Sequence, residues 1–168
     1  MTLFKKALTF GSLLSLSVLA QQNSAPRTAH AEILPKSGSS IRGSIGIEED
    51  KDSLKVSYKL SGLAPDSKHG FHFHEHGDCS SVDATSAGPH YKKLSSGGGT
   101  SLDFPDRYAG DMPSIQAGKN GKAEGSVIVS GLSLSGNNSV VGRAVIVHGG
   151  PDDVSKKSAP RIGCGVVK

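Results

Sequence analysis

The chain has 168 residues, with 19 lysines and arginines, 15 aspartates and glutamates, 22 glycines and 5% aromatic residues. Lys5, Lys6 and Arg27 fall in the first 31 residues with no acid among them, so removing that segment leaves 19 − 3 = 16 basic against 15 acidic residues. That balance excludes a strongly basic nucleic-acid-binding domain. The 168 − 31 = 137 residues that remain suit one domain with one core, and glycine at about twice its usual frequency suits an all-β fold with tight turns.

In chain order, Lys5 and Lys6 precede an apolar stretch from Ala7 to Ala20, followed by a polar segment and the small-residue site Ala29-His30-Ala31. This reads as a secretory signal over residues 1–31, with cleavage after Ala20 as the alternative because the polar segment is long. The apolar stretch is too short and too rich in serine for a spanning helix, so no stable membrane insertion is expected once the signal is gone. The domain is expected over residues 32–168, exported to the periplasm or outside the cell.

Ile41, Gly43, Ile45 and Ile47 fall on one face of a strand. Asp50-Lys51-Asp52 makes a turn, and Leu54, Val56, Tyr58 and Leu60 alternate on a second strand. After the break Gly62-Leu63-Ala64-Pro65-Asp66 comes the run Phe71-His72-Phe73-His74-Glu75-His76. The segment from Gly77 to Pro113 is long, polar and aperiodic, and a loop of that length in a compact domain is usually functional. Ile115-Gln116-Ala117, the turn Gly118-Lys119-Asn120-Gly121 and Ala123 to Val129 read as a hairpin. Val140 to His148 and Arg161 to Val167 are the last strands. The pattern predicts an all-β, antiparallel Greek-key sandwich or flattened barrel with long loops at the site.

Chemistry concentrates on the histidines. His72 and His74 lie two residues apart on a strand, so both imidazoles point to one face, about 7 Å apart along it, and can converge on a metal ion. The alternative is a surface strand whose histidines sit in water. His90 follows in the Gly-rich segment Ser86-Ala87-Gly88-Pro89-His90-Tyr91, and His148 ends the apolar strand Ala144-Val145-Ile146-Val147. Four neutral imidazoles in a tetragonal arrangement suit copper(II), and nitrogen ligands also tolerate copper(I). Cys79 and Cys164 are the only cysteines; an exporting compartment permits a disulfide, while spacing alone leaves two free buried thiols open.

Four motifs in one order, Gly70-Phe71-His72-x-His74, Gly88-Pro89-His90, Gly142-Arg143 through Val147-His148 to Asp152-Asp153, and Arg161-x-x-Cys164-Gly165-Val166, make the chain resemble the copper/zinc superoxide dismutase family from about Ser39 to Val167. The resemblance implies an exported copper-dependent enzyme that converts superoxide to oxygen and hydrogen peroxide. It implies copper on His72, His74, His90 and His148 and a disulfide between Cys79 and Cys164. Arg161 would attract and orient the superoxide anion, and Asp152 would orient a metal-bound histidine. His76 shares the face of His72 and His74 by alternation, but the family has no ligand there. In dimeric members that position lies near the subunit contact, and a homodimer is one assembly the resemblance allows. His69 is expected to be structural.

The chain departs from the family at the zinc site. His90 and Asp111 are matched, but no histidine lies between them; Tyr108 stands where one is expected and Gly97-Gly98-Gly99 where the other is. Asp103 and Asp106 are the carboxylates between His90 and Asp111 and could in principle substitute, and Lys156 and Lys157 are the only positive charges between His148 and Arg161. The pattern implies a copper-only variant, with zinc in question and Asp111 as a remnant of the zinc site or a partner for a copper ligand. Two other readings compete. One is a copper-binding or copper-buffering protein on the same fold with little turnover, against which Arg161 and Asp152 argue. The other is a cupin-type metalloenzyme, whose later glutamate and second Gly-rich histidine motif are not evident here.

Overall fold

The structure, a computed structural model, describes residues 27–92, 108–152 and 159–168. Most of the signal segment, Gly97-Gly98-Gly99, Asp103, Asp106, Lys156 and Lys157 lie outside the described residues. Among the described residues nine strands follow in order: β1 Thr28–Pro35, β2 Arg42–Asp50, β3 Ser53–Ser61, β4 Lys68–His69, β5 Phe71–His74, β6 Ile115–Gln116, β7 Ala123–Ser130, β8 Ala144–His148 and β9 Arg161–Val166. Short 3-10 turns at Thr85–Ala87 and Gly136–Asn138 are the only helical pieces among the described residues, and none is long and apolar enough to cross a membrane.

The period-2 patterns of β2 and β3 form as the residues dictate, with Ile45, Ile47, Leu54 and Val56 buried on one face. β1 was not expected. Ala29, Ala31 and Ile33 are buried and alternate with exposed His30 and Glu32, so the boundary at 31/32 falls inside this strand. Small residues one apart serve equally as a cleavage signature and as the inward face of a strand pressed close to a core. The expected hairpin keeps its turn, where the Gly118 N–H donates to the Lys122 carbonyl at 2.8 Å, but not its ladder. β6 pairs with β4, while β7 pairs with β3 from Ser53 to Leu60. The open edge of β3 offers β7 a full-length partner, whereas two-residue β6 offers almost none.

Seven strands form one antiparallel sheet in the order β5-β8-β9-β1-β2-β3-β7. β1 pairs with β2 from Thr28 to Ile33 but with β9 only at Leu34 and Pro35. Its two ends therefore join the two halves, and the sheet curls into a half-barrel. The concave side holds the main core, including Ile33, Ile41, Ile45, Phe71, Phe73, Met112, Val145 and Val147. Connections leaving β3, β5 and β7 cross between the two halves instead of returning to a neighbour, as Greek-key connectivity requires.

β5 and β8 are buried on both faces. In their register Phe71 and Phe73 oppose Val147 and Val145 on the core side, while His72 and His74 oppose Ile146 and Ala144 on the other. That second face is covered by the Cys79–Ala87 segment, whose Ala84 and Ala87 pack with Ala144, Ile146 and Cys164.

Candidate metal centre

One sheet face supplies three of the four histidines. His72 and His74 leave β5 on the face opposite the aromatic core, and His148 continues the series Ala144, Ile146 along β8. A register irregularity at Val147/His148 then pairs His148 with Arg161. The β5 series stops at His74, and His76, beyond the strand, is exposed. Alternation nominates His76 only if the strand continues, and it does not.

The fourth histidine reaches the site through the free edge of β5. Two loop segments lie along that edge and satisfy its backbone groups, as an uncovered strand edge requires. On one side the Glu75 N–H donates to the Pro89 carbonyl at 3.0 Å and the Tyr91 N–H to the Phe73 carbonyl at 2.9 Å, and His74 bridges His90. On the other, the Phe73 N–H donates to the Gly110 carbonyl at 2.9 Å and the Met112 N–H to the Phe71 carbonyl at 3.2 Å, and His72 bridges Asp111. A side chain at Gly110 would have its Cβ 2.4 Å from the Phe73 carbonyl oxygen, so only glycine lets this segment lie so close.

The four imidazoles each offer one nitrogen to a common centre, and these atoms lie within 4.8 Å of one another. The second nitrogen of each ring is held by a group that accepts a proton. His72 Nε2 meets Asp152 Oδ2 at 2.9 Å, His74 Nδ1 the Gly88 carbonyl at 2.9 Å, His90 Nδ1 Asp111 Oδ1 at 2.7 Å, and His148 Nδ1 the Ala159 carbonyl at 2.8 Å. Carbonyls and carboxylates only accept, so each of these nitrogens carries the hydrogen and donates it. The opposite nitrogen keeps its lone pair for the centre. His72 Nδ1, His74 Nε2 and His148 Nε2 are buried and meet no hydrogen-bond partner among the described residues. Buried, unpartnered lone pairs are costly unless a cation takes them, so the donor set fits copper.

Burial disfavours the charged form of two of the rings, His74 and His148. Burial pushes His74 down to about 3, the Gly88 carbonyl opposing and the charges of Arg161, His90 and His148 adding to the fall. Burial likewise pushes His148 down to about 4, against the Ala159 carbonyl. Burial pushes the Asp152 carboxyl up, but the hydrogen bond from His72 and the histidine charges outweigh it and hold the group below its ordinary value. Asp111 follows the same balance, with His90 as its hydrogen-bond donor and the Tyr108 N–H as a second, at 3.0 Å. Gly70 makes room for Asp152, since a Cβ there would sit 2.3 Å from its Oδ1.

Arg161 is partly buried, and its Nη1 donates to the Ala84 carbonyl at 2.7 Å. Ala84 presents that carbonyl from a left-handed backbone at φ 57°. The same segment is bonded to β9 through Cys79–Cys164, with Cα atoms 5.8 Å apart. Lys36 adds a clamp, its Nζ donating to the Cys79 and Ser81 carbonyls. His69 is buried and structural, with Nδ1 donating to the His148 carbonyl at 2.7 Å and Nε2 2.6 Å from Ser67 Oγ. The structure therefore brings together His72, His74, His90, His148, Asp111 and Asp152, with Arg161 paired to His148. Sequence reasoning missed the backbone carbonyls of Gly88, Ala159 and Ala84, because a carbonyl has no residue-type signature. It also missed the Glu75–Arg143 pair, for which Arg143 inside the Gly-Arg motif was the available signal.

Residues 41–167 match the model of the family described as copper/zinc superoxide dismutase (SODC). The chain is 36% identical over 141 residues to a Superoxide dismutase [Cu-Zn] of Yarrowia lipolytica, covering 77% of this chain and 90% of that protein. It is 35% identical over 144 residues to the Superoxide dismutase [Cu-Zn] of Saccharomyces cerevisiae, covering 79% and 92%. An Extracellular superoxide dismutase [Cu-Zn] of Brugia pahangi is 32% identical over 148 residues, covering 80% and 73%. A match of this extent sets the cupin alternative aside. With a four-imidazole cluster on the fold, the chain belongs to the copper/zinc superoxide dismutase family and is a superoxide dismutase, an oxidoreductase.

Proposed function

We propose that the protein is an exported superoxide dismutase that works with copper alone. The observation that carries the copper part is the convergence of three buried, unpartnered ring nitrogens, on His72, His74 and His148, with His90. Bound there, copper would supply a centre that alternates between two oxidation states, accepting an electron from one superoxide and giving one to another. The chain's own residues do the rest. Asp152, Asp111 and the Gly88 and Ala159 carbonyls hold the four rings in the tautomers that face the centre. Arg161, its guanidinium anchored on the Ala84 carbonyl and its backbone paired with His148, supplies the planar cation that would draw in the small anion.

The surroundings of His90 support the copper-only reading. Its Nδ1, the nitrogen turned away from the other three rings, is occupied by Asp111 at 2.7 Å, and the Tyr108 ring stands edge-on to the imidazole at 6.0 Å. Among the described residues Asp111 is the one further zinc-type donor beside His90, with the edge of the Tyr108 ring where another ligand would be needed, and structural zinc usually has four.

Export is supported by the signal-like N-terminus, by the Cys79–Cys164 bridge and by the Brugia relative, which is described as extracellular. We place the cleavage after Ala20 instead of Ala31. Cutting at Ala31 would remove half of β1, including buried Ala29 and Ala31, and the ion pair of Arg27 with Glu49 at 2.5 Å.

Metal analysis of the mature protein after dialysis against a mild chelator, together with a superoxide assay, tests the reading. Copper should remain, zinc should be largely lost, and the copper-loaded protein should be active. Replacing Asp111 by alanine should loosen copper or slow turnover although no zinc is present. Stoichiometric zinc that survives dialysis and is lost on replacing Asp111 would restore a two-metal site.

A further inference from the structure

His90 is the one ligand outside the β-strands, and its loop leaves the described residues immediately after Lys92. Three side chains meet at that exit. The Arg143 guanidinium lies over the Tyr91 ring, with Cζ 3.6 Å from the ring centroid. Its Nε donates to the Ser139 carbonyl at 2.9 Å, and its Nη1 donates to the Glu75 carbonyl at 2.9 Å and faces Glu75 Oε2 at 3.4 Å. The other Glu75 oxygen accepts the Lys92 N–H at 2.8 Å. Tyr91 is 3% exposed, and its hydroxyl donates to the Asn137 carbonyl at 3.2 Å.

Resting on the copper reading above, we infer that Glu75, Arg143 and Tyr91 form a bracket of positioning residues that sets where His90 stands relative to the other three histidines. Glu75 is the residue after His74, and Tyr91 is the residue after His90. Arg143 therefore ties the neighbours of two ligands to each other, and its own neighbour Ala144 opposes His74 across the sheet. A planar guanidinium can stack on a ring and bond at its edges at once, which an ammonium cannot. The bracket's hydrogen bonds run to Ser139, Asn137, Glu75 and Lys92. It fixes the backbone on both sides of His90, since the Glu75 N–H also holds the Pro89 carbonyl.

The test uses full-length mature protein loaded with copper(II), read by the rate of copper transfer to excess EDTA and by the electron paramagnetic resonance spectrum. Tyr91→Leu, which removes the ring under the guanidinium, should transfer copper about tenfold faster, the lower end of what supporting residues at metal sites cost, with an altered spectrum. Tyr91→Phe keeps the stack and should match the wild type in both. A Tyr91→Leu variant that folds yet keeps the wild-type transfer rate and spectrum overturns the inference, and so does faster transfer with an unchanged spectrum, since general destabilisation speeds release without altering the folded site. Should Tyr91→Leu fail to fold, Arg143→Lys decides in its place: faster transfer with an altered spectrum supports the bracket and an unchanged spectrum overturns it. Wild-type protein that takes up no copper would instead defeat the copper reading, an outcome distinct from either.

Discussion

Reducing the Cys79–Cys164 bond separates two roles that the same segment plays. The cysteines are 85 residues apart in sequence, and the loop-entropy model gives about 4.6 kcal/mol of stabilisation for a closed loop of that length. For a domain of about 140 residues this corresponds to a fall in Tm of roughly 15 °C. The sheet itself should survive, because β9 is held by both β8 and β1. The Ala84 carbonyl should also stay beneath Arg161, since Lys36 clamps the Cys79 and Ser81 carbonyls and the Ser37 N–H bonds the Val82 carbonyl at 2.9 Å. We therefore expect a large loss of stability with little loss of rate. Calorimetry and superoxide turnover at 20 °C on oxidised and reduced protein, in the same metal state, measure the two effects. A Tm shift under about 4 °C, near 1 kcal/mol, would refute the loop-entropy reasoning. A tenfold loss of rate in still-folded reduced protein would show that the disulfide, not Lys36, holds the Arg161 anchor.

Further outcomes are expected. His74→Gln and His148→Gln should each abolish activity while the domain still folds, as circular dichroism and a superoxide assay would show; full activity in either would contradict copper ligation. Arg161→Gln should slow turnover and flatten its dependence on ionic strength, because salt screens the attraction that was removed; unchanged rate and salt response would assign the attraction elsewhere. The pH dependence of the metal-free protein has a definite sign. Burial holds His74 at about 3 and His148 at about 4, against 6.5 for the free group, so the unfolded chain binds more protons below 6.5. The stability contribution is fully present above pH 6.5 and is lost as the pH falls toward those lower values. A melting temperature that stays level between pH 7.5 and 4.5 would contradict it.

Strands with strict alternation were legible because side-chain direction in a strand is local. β2, β3 and the shared face of His72 and His74 follow from spacing alone. The same locality explains the failures. Ala29 and Ala31 carry a pattern that fits two different fates, and the choice of β3 over β6 as partner for β7 depends on an edge that exists only once the sheet has formed.

By itself the sequence determined the residue types: four imidazoles able to bind a transition metal, an arginine able to attract an anion, two cysteines able to form a bridge, and no histidine between His90 and Asp111. Only the tertiary structure decided which ring nitrogens face inward, because that depends on which acceptor meets the other nitrogen. For His72 and His90 the acceptors are carboxylates 80 and 21 residues away, and for His74 and His148 they are backbone carbonyls that no side-chain pattern announces. The tertiary structure also placed Arg143 between Glu75 and Tyr91, the residues after His74 and His90, a contact across 68 residues with Glu75 that no local periodicity encodes.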